Sequence, residues 1–533
     1  MKWPIHGSKD PKFKYLSVEE QFMAKNHVEE FRGDLKEFHE MTEKFYAGEV
    51  TVPQYKSFSG GFGSYAQRGG ERSMLRLRLT GGEIDREDLQ FIVDAIKRHR
   101  IDRVHLTTCQ SVQFHDLTKE TVCQLIEEAF DHGIITRGGG GDYPRNVMCS
   151  PLSGVEAGEC FDVMPYAKEA ADYALGLIHT VKLPRKLKIC FENGVRNDTH
   201  ATFRDMGFIA CKDGTFLVYV AGGLGSNPKM GVQVAEGVEP SRILYYIRSM
   251  VDMFTEYGEY EKRAASRSRY LQNTLGVDGI RNVFAEKLAH NLAQGGLDIR
   301  AATEEITKTG DGTIHDSRII PQKQDGLYAV AYHPCGGNVS TDFFDRLLGV
   351  IRRMEAVRVR ITPDEGMYII NLTAKEAKAV LQVTDDGAQT LFERSVACIG
   401  AATCQVGIGK SQELLAACLD RVKQENFADG VLPQIHISGC PSSCSAHQIG
   451  TIGMRGGKKP TPEGPKFSFA VYEGGCPAFG EERFGTDLAN ILEEDIPEFL
   501  VTLGRAVAEK GMTYEQFRAN YPERVREIAG QFG

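Results

Sequence analysis

The strongest constraint on this chain is that part of it is written twice. Gly82 in LTGGEI and Gly337 in HPCGGNV stand 255 positions apart. The same separation carries Arg103 onto Arg358, Thr107 onto Thr362, Leu117 onto Leu372 and Thr118 onto Thr373. An offset held over roughly forty residues marks an internal repeat. A second echo runs at an offset of 249, from RNVMC (Arg145–Cys149) to RSVAC (Arg394–Cys398), and from Leu183-Pro184 to Leu432-Pro433. The chain is therefore expected to fold as two copies of one αβ unit around a pseudo-twofold, with a cleft between them where a cofactor fits.

The local patterns agree with that class. MLRLRLTGG alternates from Met74, EDLQFIVDAIKRHR has a helical period, and RVHLTTCQSVQFHDL reads as strands again. Residues 161–260 alternate helix and strand, and the charged stretch 261–310 reads as helical. Residues 1–50 read as amphipathic helices of an outer arm.

Bulk numbers exclude several functions. The 533 residues exceed one ordinary core. A net charge of −9, without a long basic run, disfavours nucleic acid. No apolar run reaches the ~18 residues that span a bilayer, and MKWPIHGSKDPKFKY has no signal-peptide core. A cytoplasmic protein is expected. Thirteen cysteines, an odd number in a large chain, point to metal ligands and free thiols rather than disulfide staples.

Four of those cysteines form two pairs. Cys398 and Cys404 enclose IGAAT, and Cys440 and Cys444 enclose PSS, amid glycines and small residues. Four thiolates holding iron and sulfide is the leading reading. Zinc is the competitor, although its structural pairs usually sit two to four residues apart. Cys123, Cys160, Cys190, Cys211 and Cys418 stand singly in apolar context and read as inert. Basic residues pair as well: Arg76 with Arg78, and Lys186 with Lys188, each two apart on a strand and so on one face. With Arg145 they make either solvated faces or an anion site.

The Cys-x5-Cys and Cys-x3-Cys set, together with LRLRLTGG, QFH, PRNV, LPRKLK and the duplication, resembles the sirohaem-dependent sulfite and nitrite reductase family over roughly residues 60–515. The resemblance implies an α/β (α+β) fold with duplicated ferredoxin-like half-domains and two αβ domains that bind sirohaem and cluster. On that basis 1–60 is an N-terminal helical arm and 61–130 the first half-domain. Residues 131–260 are the first αβ domain, 261–320 a helical connector, 321–390 the second half-domain and 391–533 the αβ domain with the cluster ligands. It further implies that Cys398, Cys404, Cys440 and Cys444 hold a [4Fe–4S] cluster, Cys444 also ligating the sirohaem iron. Arg76, Arg145, Lys186 and Lys188 match the family's basic substrate face, Arg78 is an alternative to Arg76, and Gln113 and His115 match positions lining the haem pocket.

The resemblance implies an oxidoreductase that reduces sulfite to sulfide with six electrons, with nitrite to ammonia as the alternative. Lysine at 188 is sulfite-reductase-like, since plant-type nitrite reductases tend to have asparagine there. The chain has no flavin or nicotinamide motif, so the electron donor is external, a ferredoxin or a flavoprotein subunit. Two departures stand out. Cys109 in LTTCQS replaces an arginine that helps hold the sirohaem carboxylates, leaving Arg103 or Arg137 as substitutes, and Ser442 replaces a frequent asparagine. From another class, a non-catalytic zinc- or anion-binding protein is the competing reading.

Overall fold

The computed structural model describes residues 27–533, so residues 1–26 of the expected arm lie outside the described residues. The first half of the chain contributes strands β1 (Ser64–Ala66), β2 (Ser73–Arg76), β3 (Glu83–Ile84), β4 (Val104–Thr107), β5 (Ser111–Leu117), β6 (Met148–Cys149), β7 (Ile189–Glu192), β8 (Met206–Ala210), β9 (Phe216–Val220) and β10 (Val232–Val238). The second contributes β11 (Ile319–Pro321), β12 (Tyr328–Tyr332), β13 (Asn338–Val339), β14 (Arg358–Ile361), β15 (Met367–Leu372), β16 (Val396–Ala397), β17 (Ile435–Ser438), β18 (Ile452–Thr461), β19 (Gly464–Glu473) and β20 (Thr486–Leu492). They form four five-stranded sheets, ordered β1-β2-β5-β4-β13, β11-β12-β15-β14-β3, β10-β9-β8-β7-β6 and β16-β17-β18-β19-β20.

The two half-domain sheets exchange a strand. β3 leaves its own copy to pair with β14, Val359 opposite Ile84 and Arg360 opposite Glu83. β13 does the reverse on β4, Val104 opposite Val339 and His105 opposite Asn338. All four positions obey the 255 offset, so the repeat in sequence is a pseudo-twofold in space. The glycines before each exchanged strand make the crossing possible. Gly82 and Gly337 have φ of 69° and 72°. A Cβ on Gly82 would lie 2.8 Å from Ile361 O, and one on Gly337 3.0 Å from Leu106 O. Only glycine fits either place. In the first exchange Arg360 Nη2 and Glu83 Oε2 meet at 2.6 Å.

Local signals explain the flanking helices. Helix Arg86–His99 starts at Asp85, which accepts from the Asp88 amide, and turns Leu89, Ile92, Val93 and Ile96 inward. Thr118 and its counterpart Thr373 both cap the helix that follows, accepting from the amides of Thr121 and Glu376; each such cap contributes about 1 kcal/mol. The two half-domain sheets share one core, which also takes Phe31, Leu35 and Phe38 of the arm. Each αβ sheet builds its own.

Residues 261–320 differ from the expected helical connector. Helix Gly276–Gln294 buries Ile280 and Phe284 in the first αβ core, while residues 295–316 carry no helix or strand. Among the described residues no helix is long and apolar enough to cross a membrane.

Candidate active site

The cysteine stretch is folded by glycine. Cys398 leaves β16, a single helical turn Gly400–Thr403 follows, and Cys404 N–H closes it on Gly400 O at 2.8 Å. The loop then lies on the end of β17, with Ile408 and Gly409 amides donating to Gly439 O at 2.9 and 2.8 Å. Gly439 N–H in turn donates to Cys398 Sγ at 3.2 Å. Cys440 and Cys444 follow directly. Arg68 of the first copy binds the other end, donating to Cys404 O (3.0 Å) and Gly407 O (2.8 Å). Thr108 Oγ1 donates to Cys444 O at 2.8 Å.

The structure corrects the second sequence echo by one residue. Ser150 N–H donates to Phe191 O beside β7, as Cys398 N–H donates to Ile437 O beside β17. Ser150 Oγ accepts from Asn193 N–H at 3.0 Å, where Cys398 Sγ accepts from Gly439. Gln110 and Glu365, 255 apart, accept from the amides of Cys149 and Ala397 respectively. Cys398 therefore stands in the place of Ser150, not Cys149.

Cations face this stretch from the first copy. Lys186 lies within electrostatic reach of Cys444; burial, then Arg267, Lys188 and Arg145, push its ammonium well below the ordinary lysine range. Arg76 Nη1 and Arg145 Nη1 both donate to Gly139 O, at 2.6 and 2.7 Å, so the glycine run anchors two guanidiniums on one carbonyl. With its oxygen turned to Arg76, the Gln113 amide accepts from Nη2 (2.5 Å) and Nε (2.9 Å) and donates to His115 Nε2 (3.1 Å). His115 Nδ1 meets Gln67 Oε1 at 3.2 Å, and Gln67 Nε2 donates to Asp116 at 2.6 Å. Gln113 thus touches a site cation, whereas His115, 2 % exposed, stands behind it. Arg78 also points elsewhere than expected. Its guanidinium is buried and donates to the carbonyls of Arg137, Pro144 and Arg145, so it shapes the loop that carries Arg145.

Cys109 has neither expected substitute beside it. Arg137 is committed to Asp34 (2.8 Å), Gly61 O (2.7 Å) and the Phe62 ring. Arg103 binds Asp116 (2.9 Å) and Thr403 Oγ1 (3.1 Å). Lys188 Nζ instead donates to Cys109 Sγ at 3.1 Å. Burial pushes this thiol up, but Lys188, Arg204 and Arg76 outweigh it and bring it down to about 6.

Sequence reasoning missed three further cations. Arg204 donates to Thr199 O, and Arg267 pairs with buried Asp205 at 3.0 Å. Arg269 lies near Gly225 and Pro441 with its Nε and Nη1 unpartnered. Two of these come from the charged stretch after residue 260, where nothing local separates a site cation from a solvated one.

These residues fit an iron–sulfur cluster beside a polyanionic cofactor. Burial, then Cys398, push the Cys444 thiol up to about 12, with Cys440 and Cys404 adding to it and Lys186 opposing. Buried thiols gathered in one place ionise together only around compensating positive charge. Among the described residues no three His, Cys, Asp or Glu side chains form a group that could hold a single metal ion. Cys444 keeps an exposed surface although it sits among these groups, as a residue on a cleft wall does. Unpartnered buried nitrogens on Arg145 and Arg269 suit carboxylates.

Comparison with known proteins agrees. The nitrite and sulphite reductase 4Fe-4S domain model matches residues 140–292, and the nitrite/sulfite reductase ferredoxin-like half-domain model matches residues 65–129 and 320–385. The first match ends before Cys398. The chain is 25% identical over 449 residues to a ferredoxin–nitrite reductase of Synechococcus elongatus, covering 80% of this chain and 85% of that one. It is 26% identical over 401 residues to a sulfite reductase [ferredoxin] of Mycobacterium tuberculosis, covering 72% and 69%. The solved structure of the Mycobacterium tuberculosis NirA protein superposes with a TM-score of 0.77 at 22% identity, covering 97% of this chain and 98% of that one, and so shares its fold. With both half-domains and the intervening domain matched, this chain belongs to the nitrite and sulfite reductase family, oxidoreductases that work with sirohaem and a [4Fe–4S] cluster.

Proposed function

We propose that this chain reduces sulfite to sulfide and water with six electrons. The observation that carries this is a group of buried cations, Lys186 with Arg145 and Lys188, within electrostatic reach of Cys444. On this reading Cys398, Cys404, Cys440 and Cys444 would hold the cluster, and Cys444 would serve the sirohaem as well. The bound cofactor pair supplies the electrons and the metal centre for breaking S–O bonds. Arg76 and Arg145, fixed on Gly139, offset the charge of the anion and orient it. Lys186 holds at Nζ a proton that it releases readily, because burial and neighbouring cations weaken its ammonium. That proton suits an oxygen departing as water. Gln113 and His115 keep Arg76 in place, and Arg78 serves the loop. The electron donor is a ferredoxin or a flavoprotein subunit; the relatives' names carry ferredoxin. The same reading divides the chain near 60, 130, 260, 320 and 390; half-domain matches that end at 129 and 385 support two of those boundaries.

Nitrite reduction is the second reading, favoured by relatives of both names. Steady-state kcat/KM for the two anions decides between them, and higher efficiency on nitrite overturns the choice of sulfite. Lys188→Asn is expected to move the ratio toward nitrite; an unchanged ratio removes lysine 188 as its basis.

A further inference from the structure

Cys109 has a structural task that the reductase reading does not assign. It sits in the turn between β4 and β5, held by Asn146 Nδ2 on its carbonyl (3.0 Å) and by Thr107 Oγ1 on its amide (3.3 Å). Its side chain packs against the small cluster of Met148, Cys190, Ala201 and Ile209. From there the sulfur meets Lys188 Nζ at 3.1 Å. The other groups facing Lys188 are Arg204 and His200 around the turn Ala201–Phe203, Arg267 from the far segment, and Lys186 two residues before it. The Asp205 carboxylate takes the Lys188 amide, Arg267 and Ser268, and its charge is shared with Arg267. Burial, Arg204 and Arg267 all work against the Lys188 charge, and the Cys109 sulfur is the anionic group that its ammonium bonds. Such a lysine sheds its proton unless an anion holds it.

We propose that Cys109 is the positioning residue for Lys188, its sulfur supplying the anionic partner that keeps this lysine charged and fixed toward the substrate. The proposal rests on reading Lys188 as a substrate cation. It also gives a role to cysteine where the family arginine would add a further cation beside Lys188.

The test is the pH dependence of sulfite and nitrite affinity, read by spectral titration of cofactor-loaded wild type, Cys109→Ser, Cys109→Asp and Lys188→Met. Affinity falls as pH rises through the Lys188 pKa. Removing the anion lowers that pKa, so the alkaline limb of Cys109→Ser is expected about one pH unit lower, a roughly tenfold loss at the old limb. Cys109→Asp retains an anion and is expected to follow wild type. Superimposed wild-type and Cys109→Ser profiles overturn the proposal, as does Cys109→Asp falling with Cys109→Ser, which would indicate packing alone. If Cys109→Asp does not load its cofactors, Cys109→Ser is repeated with Lys188→Arg. Arginine stays charged unaided, so the shift should vanish there, and its persistence overturns the proposal. Lys188→Met that binds like wild type shows instead that the substrate-cation reading itself has failed. A wrong choice between the anions changes only which one binds tighter, not the shift between variants.

Discussion

Replacing Gly439 by alanine tests whether backbone closeness assembles the cysteine stretch. The added Cβ would lie 2.6 Å from Gly409 O and 3.4 Å from both Gly400 Cα and Ser411 Oγ. Gly409 cannot move away freely, since its amide and that of Ile408 bind Gly439 O at 2.8 and 2.9 Å. Overpacking of this kind costs about 1–3 kcal/mol, and two stretched hydrogen bonds add about 1 kcal/mol each when lost. The expected total is about 3–5 kcal/mol, or roughly 6–20 °C in the unfolding midpoint of a domain of this size. Displacing Gly439 also withdraws the amide that faces Cys398 Sγ at 3.2 Å. Iron and acid-labile sulfide per chain are expected to fall below about half of wild type under the same shift of the loop. Gly457→Ala is the control, because its Cβ would meet nothing within 4 Å although it lies on the adjacent strand β18. Wild-type iron content and midpoint in Gly439→Ala would refute the reasoning.

Gln113→Leu removes the amide that accepts twice from Arg76; KM should rise about tenfold with a smaller change in kcat, and steady-state kinetics showing an unchanged KM would count against Gln113 as the support of Arg76. Glu83 carries the exchanged-strand ion pair. Burial alone would raise its carboxyl, but Arg360 and then Lys168 bring it from 4.5 down to about 2. A depressed carboxylate stabilises the fold above its unfolded pKa and loses that contribution as pH falls from about 4.5 to about 2, here about 3 kcal/mol in all. Glu83→Gln should therefore flatten the acid limb of a stability–pH curve, and an unchanged limb would contradict the assignment.

Much of the architecture was legible because the copies kept their spacing. The 255 offset predicted equivalences that reappear as strand pairs, Ile84 on Val359 and Val339 on Val104. The exchange itself was not legible, since a two-residue strand carries no sign of which sheet it joins. The 249 offset misplaced Cys398 by one residue because it follows the shared Arg-x-Val spacing and not the strand pairing; the amide bonds of Ser150 to Phe191 and of Cys398 to Ile437, with those from Asn193 and Gly439, identify Ser150 as its counterpart. Arg76, Arg145, Lys186 and Lys188 were singled out from strand spacing, a glycine loop and a family resemblance, and the structure brings them near one another. Arg204, Arg267 and Arg269 were not found, because their roles are set by packing far along the chain. Arg78 shares a strand face with Arg76 by spacing, yet the strand ends at Arg76, and beyond it the backbone delivers Arg78 to three carbonyls.

The one-residue correction bears on how two copies of one unit divide their work. At the equivalent place the first copy has Ser150, whose hydroxyl goes to Glu192 and to the Asn193 amide, and the second has Cys398. Serine there closes a buried polar network, while cysteine there leaves a sulfur with one amide and one hydroxyl beside it, from Gly439 and Ser411. Conversely, the segment LPRKLK that leads into β7 in the first copy delivers Lys186 and Lys188, and the second copy has LPQIHI at the matching stretch, with no lysine or arginine. Separating sulfur from cation across the pseudo-twofold still leaves Lys186 within electrostatic reach of Cys444, which on the proposed reading is where substrate and electrons would meet.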